Sequence, residues 1–360
     1  MRHVLLVSDG IAYTSEQQFA PLLRHRRQIA SQTGIVFSFM NAEDAWKLTP
    51  AQLQKTHAVG LKLAFSTPAA EAAALASHVF GGAKKAGIPT LFFDGDDDLS
   101  VLWPKVLAAC DHYIKKHHFT DPQAYTAILT GKSNLTDYVH RISGRSFADD
   151  IIPVSGGLGA ADIEKIALGW NIALDDKITD LARDLPADSG IERDIDLLCR
   201  ASVPEEFWTF PMRDAAVQAI RSLESQYRIN APTDRVPPAE YYREMLRSRL
   251  CVSPFGFGEI CWRDFEAMLC GCLLVKPDMS HVTTLPDLFV PHETYVPVSW
   301  DYSDFSAACA PYLADEGARR RVAETARTRL QAALTAEWFL ARFETTMQKA
   351  GILPPKRQEE

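Results

Sequence analysis

An α/β fold of two Rossmann-like domains facing a central cleft is what this sequence predicts, on three observations. Short apolar runs alternate with helical stretches through the first third of the chain. The alternation lapses between about Ile151 and Gly190, then restarts at Ile195. Strands that alternate with helices imply parallel sheets joined by right-handed crossovers. The 360 residues suffice for two domains, and an apolar fraction of 47% is enough for two cores.

In chain order, Val4–Ser8 is a short apolar run ending in Asp-Gly, read as the first strand. Phe19–Gln32 suits a helix, and Gly34–Met40 and Val59–Phe65 are the second and third strands. Pro68–Ala86 is Ala-rich and helical, with Gly87 as its stop. Thr90–Phe93 is a fourth strand that runs into Asp94-Gly-Asp-Asp-Asp98. Val101–Cys110 reads as helix and His112–Lys115 as a fifth strand.

The middle is irregular. Ile151–Gly159 contains Pro153 and a Ser-Gly-Gly-Leu-Gly run, Gly169–Leu174 is a strand or linker, and Asp184–Gly190 is a loop. Beyond it, Ile195–Cys199 is a strand, Pro211–Tyr227 a helix, Pro232–Pro238 a loop and Ala239–Ser248 a helix. Leu250–Ser253 and Tyr295–Val298 are strands; Gly317–Ala333 and Glu337–Ala350 are the last helices. The expected domains are 1–165, 190–335 and a terminal helix and tail, 336–360.

The densest chemistry lies in Ser253–Pro277, where a glycine-bearing loop leads into a short helix, a Gly ends it and an apolar strand follows. A helix start presents free N–H groups and the positive end of the dipole, which suits a phosphate. Arg263 is placed to add a bidentate phosphate contact, and Glu266 to accept hydrogen bonds from a ribose diol. The spacing of Glu259, Arg263 and Glu266, i, i+4 and i+7, places them on one helix face. Ser253 and Gly256 are expected to meet a nucleotide or its phosphates through the backbone. Set against this, the same pattern fits an ordinary crossover with Arg263 and Glu266 as a surface pair.

Glu266-Ala-Met-Leu-Cys-Gly271, with the strand Cys272–Lys276 after it, resembles the donor-binding signature of GT-B glycosyltransferases, nearest the bacterial group-1 type. The resemblance implies that Glu266 binds the nucleotide ribose, that basic residues such as Arg200 and Arg213 approach the donor phosphates, and that the last helix crosses back to the first domain. Retaining members carry a second Glu eight residues before the first. Here that position is Gly258, and Glu259 is the nearest acid. The candidate catalytic residues are therefore Arg263, Glu259 and Asp9. The candidate donor-binding residues are Glu266, Ser253, Gly256, Gly258, Arg200, Arg213 and Lys276. The implied activity is metal-independent transfer from a nucleotide-diphosphate sugar, a co-substrate, to a polysaccharide, glycolipid or other acceptor, with no cofactor and a role in cell-surface polysaccharide synthesis.

Asp94–Asp98 is the rival signal, because aspartates after a strand can hold Mg²⁺ or Mn²⁺ and resemble the metal motif of GT-A glycosyltransferases. A metal-dependent nucleotide-sugar enzyme and a non-catalytic sugar- or nucleotide-binding protein are the alternatives. Asp9, in Ser8-Asp9-Gly10 after the first strand, is placed to act as base or acceptor contact. Lys115-Lys-His-His118 and Arg24-His-Arg-Arg27 are either grips for an anionic acceptor or membrane surface, or solvated charged faces. A net charge of −8 excludes a basic nucleic-acid footprint. No run reaches the length of a membrane span, the apolar start is too short for a signal peptide, and the seven cysteines show no disulfide or zinc spacing. These features lead to the expectation of a cytoplasmic protein with reduced thiols.

Overall fold

Strands β1 (Arg2–Ser8), β2 (Ile35–Asn41), β3 (Ala58–Lys62), β4 (Thr90–Asp94) and β5 (His112–Lys115) follow one another with helices between them. A short β6 (His117–Phe119) then leaves the sheet, and β7 (Ile166–Leu168) rejoins it. The first sheet is parallel with the order β2-β1-β3-β4-β5-β7. β8 (Ile195–Leu198), β9 (Ile229–Asn230), β10 (Ser248–Val252), β11 (Leu273–Pro277) and β13 (Val296–Val298) form the second parallel sheet, in the order β13-β11-β10-β8-β9. The computed structural model describes residues 1–10, 17–147, 157–185 and 190–355. Pro153 and Pro186, two of the marks of the domain change, lie outside them.

Both sheets are covered on their two faces, which is why β3, β4, β8 and β11 are buried at every position. Strand order reverses at β1/β3 in the first sheet and at β8/β10 in the second. Ligands of open parallel sheets bind at such reversals, beyond the carboxyl ends of the strands. The loops after β1, β4, β8 and β10 are the ones this topology brings to the binding edge.

Several elements differ from expectation. The helix expected over Phe19–Gln32 is two, Gln17–Arg24 and Arg26–Thr33, broken at His25, whose ring packs 5.4 Å from Phe339. The helix expected from Val101 begins at Pro104, and the one expected to reach Tyr227 stops at Arg221. Gly169–Leu174 holds a 3₁₀ turn at Ile172–Leu174, while the strand is β7 just before it. Three residues are too few to show an alternating pattern, so β7 leaves no sequence signal. The helices Asn134–Ser143 and Phe305–Ala314 went unread as well. The last helix, Ala336–Lys349, does return to the first sheet: Phe339, Leu340, Phe343 and Met347 share a core with Val4, Leu6, Ile29 and Ile35.

The domains meet at several points, among them a strand pair and a close approach of two loops. β6 pairs antiparallel with β12 (Val282–Thr284), Phe119 opposite Val282 and His117 opposite Thr284. Asn171 extends the seam, its Nδ2 donating to Thr284 Oγ1 at 2.7 Å and its backbone N–H to the Leu285 carbonyl at 2.7 Å. The second contact is at Gly258, where an added Cβ would lie 1.9 Å from the Asp97 carbonyl oxygen. Only glycine lets the two loops meet there. No helix among the described residues is long and apolar enough to cross a membrane.

Gly258→Ala is therefore expected to force the loops apart and to cost about 1–3 kcal/mol, the usual penalty of overpacking. Gly256→Ala, whose Cβ would meet the end of the Arg213 side chain at 3.4 Å and the Gly258 carbonyl at an ordinary 3.8 Å, should cost under about 1 kcal/mol. Urea unfolding of both variants checks the contrast, and equal midpoints would refute it.

Candidate functional site

The loop after β10 and the helix Trp262–Leu269 form one wall of the interdomain cleft. The helix begins at Trp262 because Asp264 caps it: the Asp264 carboxylate accepts the Cys261 backbone N–H at 3.0 Å. The same carboxylate accepts Ser253 Oγ–H at 2.6 Å and pairs with Lys276 Nζ at 3.1 Å, all three side chains being fully buried. The end of β10, the end of β11 and the start of the helix are thus tied to one anion. At the other end Gly271 takes a φ of 71°, which glycine adopts without strain.

This geometry corrects several expectations. Ser253 gives its backbone N–H to the Val275 carbonyl and its hydroxyl to Asp264, and Lys276 gives its ammonium to Asp264, so these donors are committed within the protein. Arg200 is committed to Glu244, with Nη2 2.6 Å from Oε1, and to the Asp234 carbonyl. Glu259 precedes the helix and does not share a face with Arg263 and Glu266. It is buried, accepts from Asn134 Nδ2 at 2.7 Å and lies 3.3 Å from His281 Nε2. A sequence spacing defines a helix face only where the helix has begun, and the Asp264 cap delays that start. Gly258 has the interdomain role described above; a side chain there would strike Asp97.

Arg213 and Arg263 are different. Arg213 donates to the Phe255 carbonyl at 3.3 Å and the Ser202 carbonyl at 3.0 Å, and its Nη2 lies beside Gly256. Arg263 Nη1 is buried with no hydrogen-bond partner. Neither arginine forms an ion pair with a carboxylate among the described residues. They crowd each other: burial first, then the Arg263 charge, pushes the Arg213 pKa down to about 10. Two cations side by side beneath a glycine loop at a helix start make a site for a dianion or larger anion.

Glu266, one turn along the helix, is buried and accepts from Tyr241 Oη at 2.8 Å and Tyr242 Oη at 3.0 Å. Lys177 Nζ, lying 4.4 Å from the Trp262 ring centroid, is 2.8 Å from its Oε1. The two tyrosines and Lys177 were missed in the sequence, because nothing local links them to a helix so far along the chain.

The facing wall is the loop after β4. Three of its four aspartates are matched with lysines: Asp94 with Lys115 at 2.6 Å, Asp97 with Lys116 at 2.5 Å and Asp98 with Lys132 at 2.6 Å. Lys115, Lys116 and His117 are buried, so this stretch is neither a solvated face nor a grip for an acceptor. Arg24 likewise pairs with Asp176 and the Leu174 carbonyl. No group of three or more metal-ligating side chains is found among the described residues. Asp96 faces the cleft with Gly95, opposite Arg213, Gly256 and Gly258, around a cavity of about 280 Å³. Asp9, after β1, accepts the Ala64 backbone N–H from the end of β3, at the strand-order reversal.

Residues 213–345 match the family model described as glycosyl transferase-like. No curated protein is similar enough to match. Among solved structures, Anabaena HepE in complex with UDP has 11% identity and a TM-score of 0.51, over 97% of this chain and 100% of that one. The trehalose 6-phosphate synthase of Burkholderia multivorans has 11% identity and a TM-score of 0.51, over 98% and 99%. The UDP-forming trehalose-phosphate synthase of Burkholderia vietnamiensis has 9% and 0.50, over 98% and 100%. The chain has the GT-B fold. The glycine loop, Arg213, Arg263 and Glu266 of this GT-B chain all lie within the stretch that matches the glycosyl transferase-like model.

Lys62 generates a prediction at the edge of the cleft. It is buried at the end of β3, where its Nζ donates to the Leu63 carbonyl. Burial pushes its pKa down to about 8, against the pull of Asp94, Asp9 and Asp96. A depressed pKa means that the folded state disfavours the ammonium. That penalty is absent above the ordinary lysine value of about 10.4 and is complete once the pH has fallen through 8. Lys62→Met should therefore raise Tm by about 5 °C at pH 7 and by little at pH 10.5. Thermal melts at both pH values check this; equal shifts would contradict it.

Proposed function

We propose that this GT-B chain is a glycosyltransferase that moves a sugar from a nucleoside-diphosphate sugar to a carbohydrate or lipid-linked acceptor. The observation that carries the reading is the pair Arg213 and Arg263, two crowded guanidiniums without a carboxylate at the mouth of the glycine loop. UDP is the nucleotide bound to, or formed by, the fold's neighbours in HepE and the trehalose-phosphate synthase, and it is the first nucleotide to test. In the transfer, the bond from sugar C1 to the diphosphate oxygen breaks and its electron pair leaves with the diphosphate. The acceptor hydroxyl oxygen bonds to C1 and gives up its proton. The two arginines and the helix N-terminus face the charge that develops on the leaving group, the largest kind of catalytic contribution. Glu266 is assigned to the ribose diol and Asp9 to the acceptor side, as base or acceptor contact. Closure of the domains excludes water and limits donor hydrolysis.

The reading includes independence from metal. Its support is chemical: Asp94, Asp97 and Asp98 each have a lysine as counter-ion, while the diphosphate has arginines. It also includes a cytoplasmic site of action in cell-surface polysaccharide synthesis, supported by seven free cysteines, six of them buried.

Turnover of a UDP-sugar, followed as UDP release, is expected to survive EDTA within about twofold. Loss that Mn²⁺ restores, and that Asp96→Ala abolishes, would move the chemistry to the loop after β4. Arg263→Ala should lower kcat by about 10²–10³ with a smaller rise in KM, and Arg263→Lys should recover only part of the loss. Steady-state kinetics on the folded variant decides. Near-normal kcat/KM would defeat the assignment, and UDP binding without turnover in the parent protein would indicate a binding module.

A further inference from the structure

A second cavity, of about 610 Å³, opens on the back of the second domain. It lies where β8 and β10 begin and where the Trp262–Leu269 helix ends, against the long helix Glu316–Ala333. It shares no lining residue with the cleft. Five arginines line it, Arg193, Arg249, Arg319, Arg320 and Arg327, against three glutamates. This excess of positive charge stands out in a chain whose net charge is −8.

Ordinary pairing does not account for two of these cations, Arg193 and Arg319. Arg249 pairs with Asp196 at 3.0 Å and Arg320 with Glu316 at 2.6 Å. Arg193, by contrast, donates to main-chain carbonyls, those of Ser248 and Cys270, the latter at 2.6 Å. Those bonds orient its guanidinium and leave its charge uncancelled. Arg319 is the decisive residue. Its side chain is only 4% exposed, and its single carboxylate neighbour among the described residues is Glu316 at 3.7 Å, beyond hydrogen-bond reach. A guanidinium taken out of water without hydrogen-bonded counter-charge is costly unless something else supplies the charge. Burial and the repulsion of Arg193, Arg320 and Arg249 together hold its pKa below the usual arginine value. The first turn of the Glu316–Ala333 helix adds its dipole at the same place.

We propose that this cavity binds a small soluble molecule carrying a phosphate or diphosphate group, with the buried Arg319 and the half-buried Arg193 as the grip and Arg320 at the rim. Guanidinium forks match phosphate oxygens two at a time, and the volume falls in the range of small-molecule sites. The site is separate from the cleft and does not depend on the glycosyltransferase reading.

The test uses the full chain and inorganic pyrophosphate as probe, at ionic strength held constant with NaCl. Calorimetry on Arg213→Ala/Arg263→Ala, which empties the cleft, should still show one pyrophosphate bound per chain. Adding Arg319→Gln should weaken that binding at least about tenfold. If circular dichroism shows that Arg319→Gln has unfolded, Arg320→Gln takes its place, since that side chain is exposed and its loss should weaken binding about three- to tenfold. No binding in the cleft-emptied protein, or unchanged affinity after the Arg319 or Arg320 change in a folded variant, overturns the proposal. Loss of pyrophosphate binding through the cleft substitutions alone would place all of it in the cleft.

Discussion

The buried carboxylate of Asp264 is the constraint on which the cleft depends. It neutralises Lys276, accepts the Ser253 hydroxyl and caps the helix that starts at Trp262. A charge so deeply buried is tolerable only when each of its oxygens has a strong partner. Here the partners come from the ends of two neighbouring strands and from the helix start. Fixing those three points fixes the intervening glycine loop, and with it the position of Arg263 in the first helical turn. A phosphate cradle must be rigid, because its donors have to be in place before the charge develops.

The second constraint is how the two domains meet. A GT-B cleft depends on a defined separation of its walls, and two of the contacts between the domains lie close to it here. The β6–β12 pair bridges the domains with backbone hydrogen bonds. Gly258 lets the loop after β10 lie against the backbone of Asp97. Any side chain there collides with the opposite wall, and the adjacent Glu259 is turned away to Asn134 and His281. The acidic group that faces the cleft is Asp96, from the other domain.

Charge is distributed unevenly between the walls. On the first domain, aspartates and lysines cancel locally: Asp94 with Lys115, Asp97 with Lys116 and Asp98 with Lys132. On the second, Arg200 is cancelled by Glu244, whereas Arg213 and Arg263 are not cancelled. The net field in the cleft therefore favours an anion on the side of the glycine loop. The same logic, applied to the far end of the helix, singles out Arg193 and Arg319. In both places a cation drawn out of water without a hydrogen-bonded counter-charge favours an anion beside it.

By itself the sequence determined the alternation of strands and helices, the glycine that ends the signature helix, and the strand after it. These follow from periodicity and local backbone preference, which act over a few residues. It also determined that Arg263 and Glu266 share the helix of the candidate site, since both lie beyond its true start. Only the tertiary structure decided which charged groups remain available. Lys276 and Arg200 read as donor contacts, and Lys115 and Lys116 as a grip or a solvated face, yet each meets a carboxylate a dozen or more residues away. Tertiary structure also brought Lys177, Tyr241 and Tyr242 to Glu266, and paired β6 with β12 although more than 160 residues separate them. Ion pairs, side-chain hydrogen bonds and strand pairing depend on distance in space, and a one-dimensional pattern carries no record of it.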